Sequence, residues 1–144
     1  MPFPKIKTNS LRFKDFRLNQ KTSHSVKITS ELVKEFAKFS GDRNPIHMSD
    51  EYAKKNLFKE RVAHGFLIST FLSSIYANSL PGEGTILLEQ NLKFVNPVFL
   101  NEEITYNLKI IKIFPSKKIL KIQVRCLTNR KEVVNGVASF MHLN

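Results

Sequence analysis

The residues with the clearest chemical use sit in one run, Ser40-Gly41-Asp42-Arg43-Asn44-Pro45-Ile46-His47, and in the His64-Gly65 pair that follows it. Asp42 and His47 set a carboxylate and an imidazole five residues apart, in a stretch stiffened by Gly41 and Pro45. Such a pair can hold and polarise one water, because a carboxylate accepts and an imidazole donates or accepts near neutral pH. Gly65 opens a long uncharged stretch. A backbone N–H at a helix start suits a developing oxyanion, and the lack of a side chain lets a carbonyl oxygen come close. This is the equipment for adding water to, or removing it from, a compound activated by a carbonyl.

The flanking pattern predicts how these groups are held. Ser23 to Ile28 reads as a short edge strand. A helix follows, capped by Thr29 or Ser30, with Glu31 at its positive end and Leu32, Val33, Phe36 and Phe39 spaced to bury one face. Gly41 suits the left-handed position just after a helix end. Asp42 to Met48 reads as loop, because Pro45 disfavours a helical Asn44. Ser49 or Asp50 then caps a short helix, Glu51 to Asn56. His64 to Leu80 reads as a helix with no Asp, Glu, Lys or Arg, and a helix without a charged face is buried nearly all round. Pro81-Gly82 ends it.

Beyond that point the period changes to two. Strands are predicted at about 85–95, 103–114, 117–128 and 132–142, punctuated by Asn96-Pro97, Asn101, Pro115-Ser116 and Asn129-Arg130. Helices first and an antiparallel meander second imply an α+β domain whose sheet wraps one buried helix. Residues 1–22 are polar and basic and read as an irregular lead-in to a single domain, 23–144.

The 144 residues suffice for one domain with a real core, and 42% apolar with 24% charged residues is a globular composition. The single Cys126 excludes an internal disulfide and sits in an alternating run, where it reads as a small apolar strand residue. No metal set is expected, since four His and one Cys lack ligand spacing. His24 and His142 carry no role in this reading. The start, Met1 to Lys7, has no apolar signal region, and 62–82 is too short and too polar to span a bilayer, so a cytoplasmic protein is expected. Lys and Arg total 23 against 12 Asp and Glu, a net charge of +11. The basic residues are scattered and build no nucleic-acid module. Two readings stand for that charge: a solvated surface, or attraction to a phosphate-bearing ligand or acidic carrier protein.

The motif residues, with Phe36-Ala37, Ala53, Val62-Ala63-His64-Gly65, Leu80-Pro81-Gly82, Gln90, Phe94 and Pro97-Val98, resemble the MaoC-like dehydratases, the (R)-specific enoyl-CoA hydratases. The resemblance covers roughly 20–142. It implies a hot-dog fold, a long helix wrapped by a curved antiparallel sheet, usually paired as a homodimer. It implies reversible syn hydration of trans-2-enoyl thioesters on CoA or acyl carrier protein. No bound cofactor is needed, since the carrier belongs to the substrate. On this resemblance Asp42 and His47 bind the catalytic water, the Gly65 N–H meets the oxyanion, and Ser73 supports the site, with Ser74 beside it as the other choice. Asn44 fixes the loop through side-chain to backbone bonds, and His64 orients the helix start. Asn101-Glu102 departs from the Gly–acidic pair of many relatives, but Asn tolerates the left-handed conformation that the turn needs. Three rival readings remain: a hot-dog thioesterase, a non-catalytic acyl-thioester-binding module and non-specific nucleic-acid binding. The intact Asp42/His47 pair argues against the first two.

Overall fold

Thr29 accepts a hydrogen bond from Leu32 N and starts α1, Ser30–Ser40, which ends at Gly41 with φ 79°. In the computed structural model, residues 5–129 and 131–144 are described. Residues 1–4 of the start and Arg130 of the last expected turn lie outside the described residues. Leu32, Val33 and Ala37 bury the inner face of α1, but Phe39 does not join them and is 92% exposed. Three residues on from Phe36, it is turned well away from the line through Val33 and Ala37.

The stretch expected to be loop contains a helical turn. Asn44 is indeed non-helical, with ψ 126°, yet Pro45–Met48 forms α2. Proline disfavours a helix before itself and is pre-organised for the first position of one after. Ser49 caps α3, Asp50–Lys54, through Tyr52 N. The long helix, α4, spans Gly65–Asn78 with His64 at its N-cap.

Five antiparallel strands follow the order β1-β3-β4-β5-β2. They are β1 Lys21–Lys27, β2 Thr85–Phe94, β3 Glu103–Phe114, β4 Ile119–Thr128 and β5 Lys131–His142. Alternation turns Ile104, Tyr106, Leu108 and Ile110 of β3, and Leu120, Ile122, Val124 and Cys126 of β4, into the core. There they join Leu67, Ile68, Phe71, Leu72 and Ile75 of α4. Burial at about 1.5–3 kcal/mol per large apolar side chain outweighs the weak helix propensity of Ile, Ser and Thr, at most about 0.7 kcal/mol each. Packing therefore makes α4 a helix. The hydroxyl of Tyr106 donates to Ile68 O at 2.8 Å, which satisfies a buried polar group and ties β3 to α4. This single α+β domain is the hot-dog arrangement.

Two details differ from the sequence expectation. The lead-in is not simply irregular: β1 begins at Lys21, Phe13–Asp15 form a 3-10 turn, Phe16 is buried, and Ile6, Leu11 and Phe13 pack against the core. His142 is built into that packing, with its two ring nitrogens on Leu11 O and Asn144 O. Nor is α4 covered all round. Phe66, Thr70, Ser73 and Ala77 form an exposed stripe along it, and β2, paired only with β5, is exposed along most of its length. The turn at Asn101 keeps its shape, with φ 70°.

Candidate active site

Local bonds within the loop after α1 hold the first group. Asp42 Oδ1 accepts from Asn44 N at 3.2 Å, and Asn44 Oδ1 accepts from Ile46 N at 3.2 Å. Asp42 thus shapes its own loop with one carboxylate oxygen and keeps the other. Asn44 spends its side-chain oxygen on the start of α2, the loop-fixing use expected of it. On α2, His47 donates from Nδ1 to Val62 O at 2.7 Å. A carbonyl can only accept, so neutral His47 carries its lone pair on Nε2.

The strand-like segment before α4 carries the next group. Val62 bridges Phe99, and Ala63 N donates to Val98 O at 2.8 Å. His64 is 1% exposed, and its ring donates from Nε2 to the main-chain oxygen of Asp42 at 3.0 Å. Its pKa is lowered, first by burial and then by the nearby His47, so the ring is neutral at pH 7. It lies 4.0 Å from the His47 ring and 4.9 Å from the Phe36 ring, centre to centre. One carboxylate oxygen of Asp42 and one ring nitrogen each of His47 and His64 lie within 4.8 Å of one another. A water with tetrahedral hydrogen bonds of ~2.8 Å spreads its partners about 4.6 Å apart. Ligands about 2.1 Å from a tetrahedral metal ion sit about 3.4 Å apart. Both spacings lie inside that 4.8 Å bound, so the three groups are close enough together to hold a water or an ion.

Gly65 follows at once. It is the first residue of α4, so its N–H lacks an intrahelical acceptor. A Cβ built there would stand 3.2 Å from Phe94 Cε1, a tight approach to one side chain. Asp42 and Gly65 line a single cavity of about 310 Å³ together with Phe66, Ser69, Gln90, Leu92 and Phe94. Ser73 is not on that cavity. It lines a neighbouring one of about 230 Å³, with Tyr76 and Phe140. The two share Ser69 and Gln90, so they run on from each other along α4 and β2. Tyr76 OH donates to Gln90 Oε1 at 2.7 Å at the junction.

Asp42, His47, His64, Asn44 and Gly65 are therefore gathered at one end of α4, while Ser73 faces the continuation of the cavity two turns on. Ser69 and the inner residues of β2 received no role from the sequence. Two signals pointed to them: Ser69 lies one helical turn beyond Gly65, and the period-two alternation sets Gln90, Leu92 and Phe94 on one face.

A hot-dog domain with a carboxylate and a helix-start residue on one cavity, and an imidazole beside the carboxylate, defines a class, and residues 16–136 match the family described as MaoC like domain. The chain belongs to the MaoC-like domain family. It is 34% identical over 129 residues to an (R)-specific enoyl-CoA hydratase of Rhodospirillum rubrum, covering 90% of each chain. It is 33% identical over 108 residues to a mitochondrial 3-hydroxyacyl-[acyl-carrier-protein] dehydratase of Arabidopsis thaliana, covering 74% of this chain and 64% of that one. Among solved structures it is similar to an (R)-hydratase from A. caviae involved in PHA biosynthesis, with TM-score 0.86, 29% identity, and 90% and 98% of the two chains covered. An R-hydratase of Pseudomonas aeruginosa gives TM-score 0.84 at 36% identity, covering 90% of this chain and 84% of that one.

Proposed function

We propose that this protein is an (R)-specific enoyl-thioester hydratase, a hydro-lyase that also runs as a 3-hydroxyacyl-thioester dehydratase. The observation that carries this reading is the placement of Asp42 and the Gly65 N–H on one cavity, with His47 beside the carboxylate. In the hydration direction Asp42 orients the water and His47 Nε2 takes a proton as the oxygen attacks the β-carbon. The thioester oxygen gathers enolate charge and is met by the Gly65 N–H, strengthened by the helix dipole. The proton returns to the α-carbon from the same side, which gives syn addition. Proton handling of this kind contributes about 10²–10⁴-fold. The acyl chain runs between α4 and β2, past Ser69 and Gln90 toward Ser73. No cofactor is required, since the carrier, CoA or acyl carrier protein, arrives with the substrate.

The functional unit in this reading is a homodimer in the cytoplasm. Phe66 is 79% exposed at the mouth of the site, and Leu87 and Leu88 are about half exposed on an edge strand with a free side. A long apolar edge is a liability unless covered, and a second copy covers it. No helix among the described residues is long and apolar enough to cross a membrane.

The test is the change in enoyl-thioester absorbance with crotonyl-, hexenoyl- and decenoyl-CoA, repeated on acyl carrier protein. Chiral analysis of the product should give the (R)-3-hydroxyacyl thioester. Release of free thiol without loss of the double bond would identify a thioesterase and overturn the reading.

A further inference from the structure

We infer that His64 is a positioning residue which, as its Nε2–H tautomer, locks the Asp42 loop and the His47 ring into register with Gly65. This rests on the hydratase reading above. Four observations carry it. First, His64 occupies the N-cap of α4 but forms no cap. Ser, Thr, Asp or Asn there would satisfy a helix N–H, worth about 1 kcal/mol relative to an uncapped end. A residue that forgoes a local gain marks a use elsewhere.

Second, its ring is committed to the site. Nε2 donates to Asp42 O at 3.0 Å, and one face packs on His47. Third, the same short segment holds the other partner, because Val62 O receives His47 Nδ1. The segment is itself pinned by the Val62–Phe99 bridge and by Ala63 N to Val98 O. Four consecutive residues, 62–65, therefore set the positions of imidazole, carboxylate loop and oxyanion donor relative to one another. Fourth, Nδ1 of His64 is buried and has no partner among the described residues. With the proton on Nε2, Nδ1 keeps only a lone pair. A proton on Nδ1 instead would leave a buried donor unmade and place a lone pair against the Asp42 carbonyl. The two histidines thus carry opposite tautomers: His47 protonated on Nδ1, His64 on Nε2.

Two variants separate positioning from folding. The amide nitrogen of Gln reaches about where Nε2 stands, whereas that of Asn reaches only to Nδ1. Asn is also among the best N-caps, so H64N should keep or raise the melting temperature. We expect H64N to lose about 10–10² in kcat, with KM changed less than about threefold, because a misplacement on the 1 Å scale costs up to about 10²-fold. H64Q should recover most of that loss. Wild-type kcat in H64N, or equal loss in both variants at equal stability, would overturn the assignment. Long-range proton–nitrogen NMR on the unliganded wild-type protein at pH 7 reads the tautomers without any substrate. Nε2–H on His64 with Nδ1–H on His47 is expected, and any other pair overturns the inference. An inactive wild type that still shows these tautomers would sink the hydratase reading, with the failure located there.

Discussion

His47 Nδ1 stands 2.7 Å from the carbonyl oxygen of Val62, fifteen residues further along the chain, and that bond leaves the lone pair of the neutral ring on Nε2, the atom to which the proposed mechanism assigns the proton transfer. The Asp42 carboxylate is set by Asn44 N within its own loop, while the Asp42 carbonyl accepts from His64. The pair should therefore fail together but fold apart. Asp42→Asn retains the oxygen that accepts from Asn44 N and removes only the charge. His47→Gln removes the imidazole. Each should lower kcat by about 10²–10⁴-fold, and the double variant should lose far less than the product of the two. Steady-state kinetics with crotonyl-CoA checks this, and near-normal turnover in either single variant would sink the role assigned here.

Gly65 takes no left-handed φ, so an alanine there is compatible with the backbone. Its methyl would press on Phe94 at 3.2 Å and occupy the approach to the N–H. Gly65→Ala should fold and lose at least about tenfold in kcat/KM, equivalent to about 1.4 kcal/mol, and Gly65→Val should lose more. A folded and fully active Val variant would mean that the oxyanion is held elsewhere.

The apolar edge gives a separate prediction. Ile86 lies on β2, is 41% exposed and lines neither of the two cavities between α4 and β2. Ile86→Glu should convert the proposed dimer to a 16.6 kDa monomer in sedimentation, with activity falling alongside. A wild-type protein that is monomeric and fully active would refute the dimer.

Two histidines set an acid limit on stability. Burial lowers the pKa of His64 and of His24 below the ordinary 6.5. In the unfolded chain both take up a proton near 6.5 while the folded forms stay neutral, so the unfolded state binds more protons as pH falls. Stability from these groups is full above about pH 7 and is lost as pH drops through 6.5 toward the lowered values. Denaturation midpoints at pH 8, 7, 6 and 5 should decline over the last two steps. For H64N the decline should be shallower, since one of the two protons is gone.

Cys126 is buried between β3 and β5, and burial pushes its thiol up to about 12. It should resist iodoacetamide in the folded protein and react only after unfolding, as a mass-spectrometric time course would show. Rapid alkylation of the native protein would overturn the reading of Cys126 as a buried apolar strand residue.

Much of the architecture was legible because it follows from local rules. The charge-free run after Gly65, the Thr29 cap, the Gly41 terminus and the period-two meander each report on neighbouring residues alone. The failures were local rules applied one step too far. Pro45 bars a helix before itself and was read as barring one after. Phe39 was placed by a spacing of three, whereas burial on α1 runs through Val33 and Ala37. Ser73 is no such failure: eight residues beyond Gly65, it lies two helical turns on and lines the adjoining cavity.

The chain by itself determined which chemical groups exist and that Asp42, Asn44 and His47 share one turn, because Gly, Asx and Pro conformations are decided within a few residues. Only the tertiary structure decided the protonation pattern and the partners. Val62 O reaches His47, and Asp42 O reaches the His64 ring, over separations of 15 and 22 residues. A carbonyl's target across such a distance depends on how segment 62–65 docks on Phe99 and Val98. That docking is set by the sum of core packing around α4, which no short window of sequence contains.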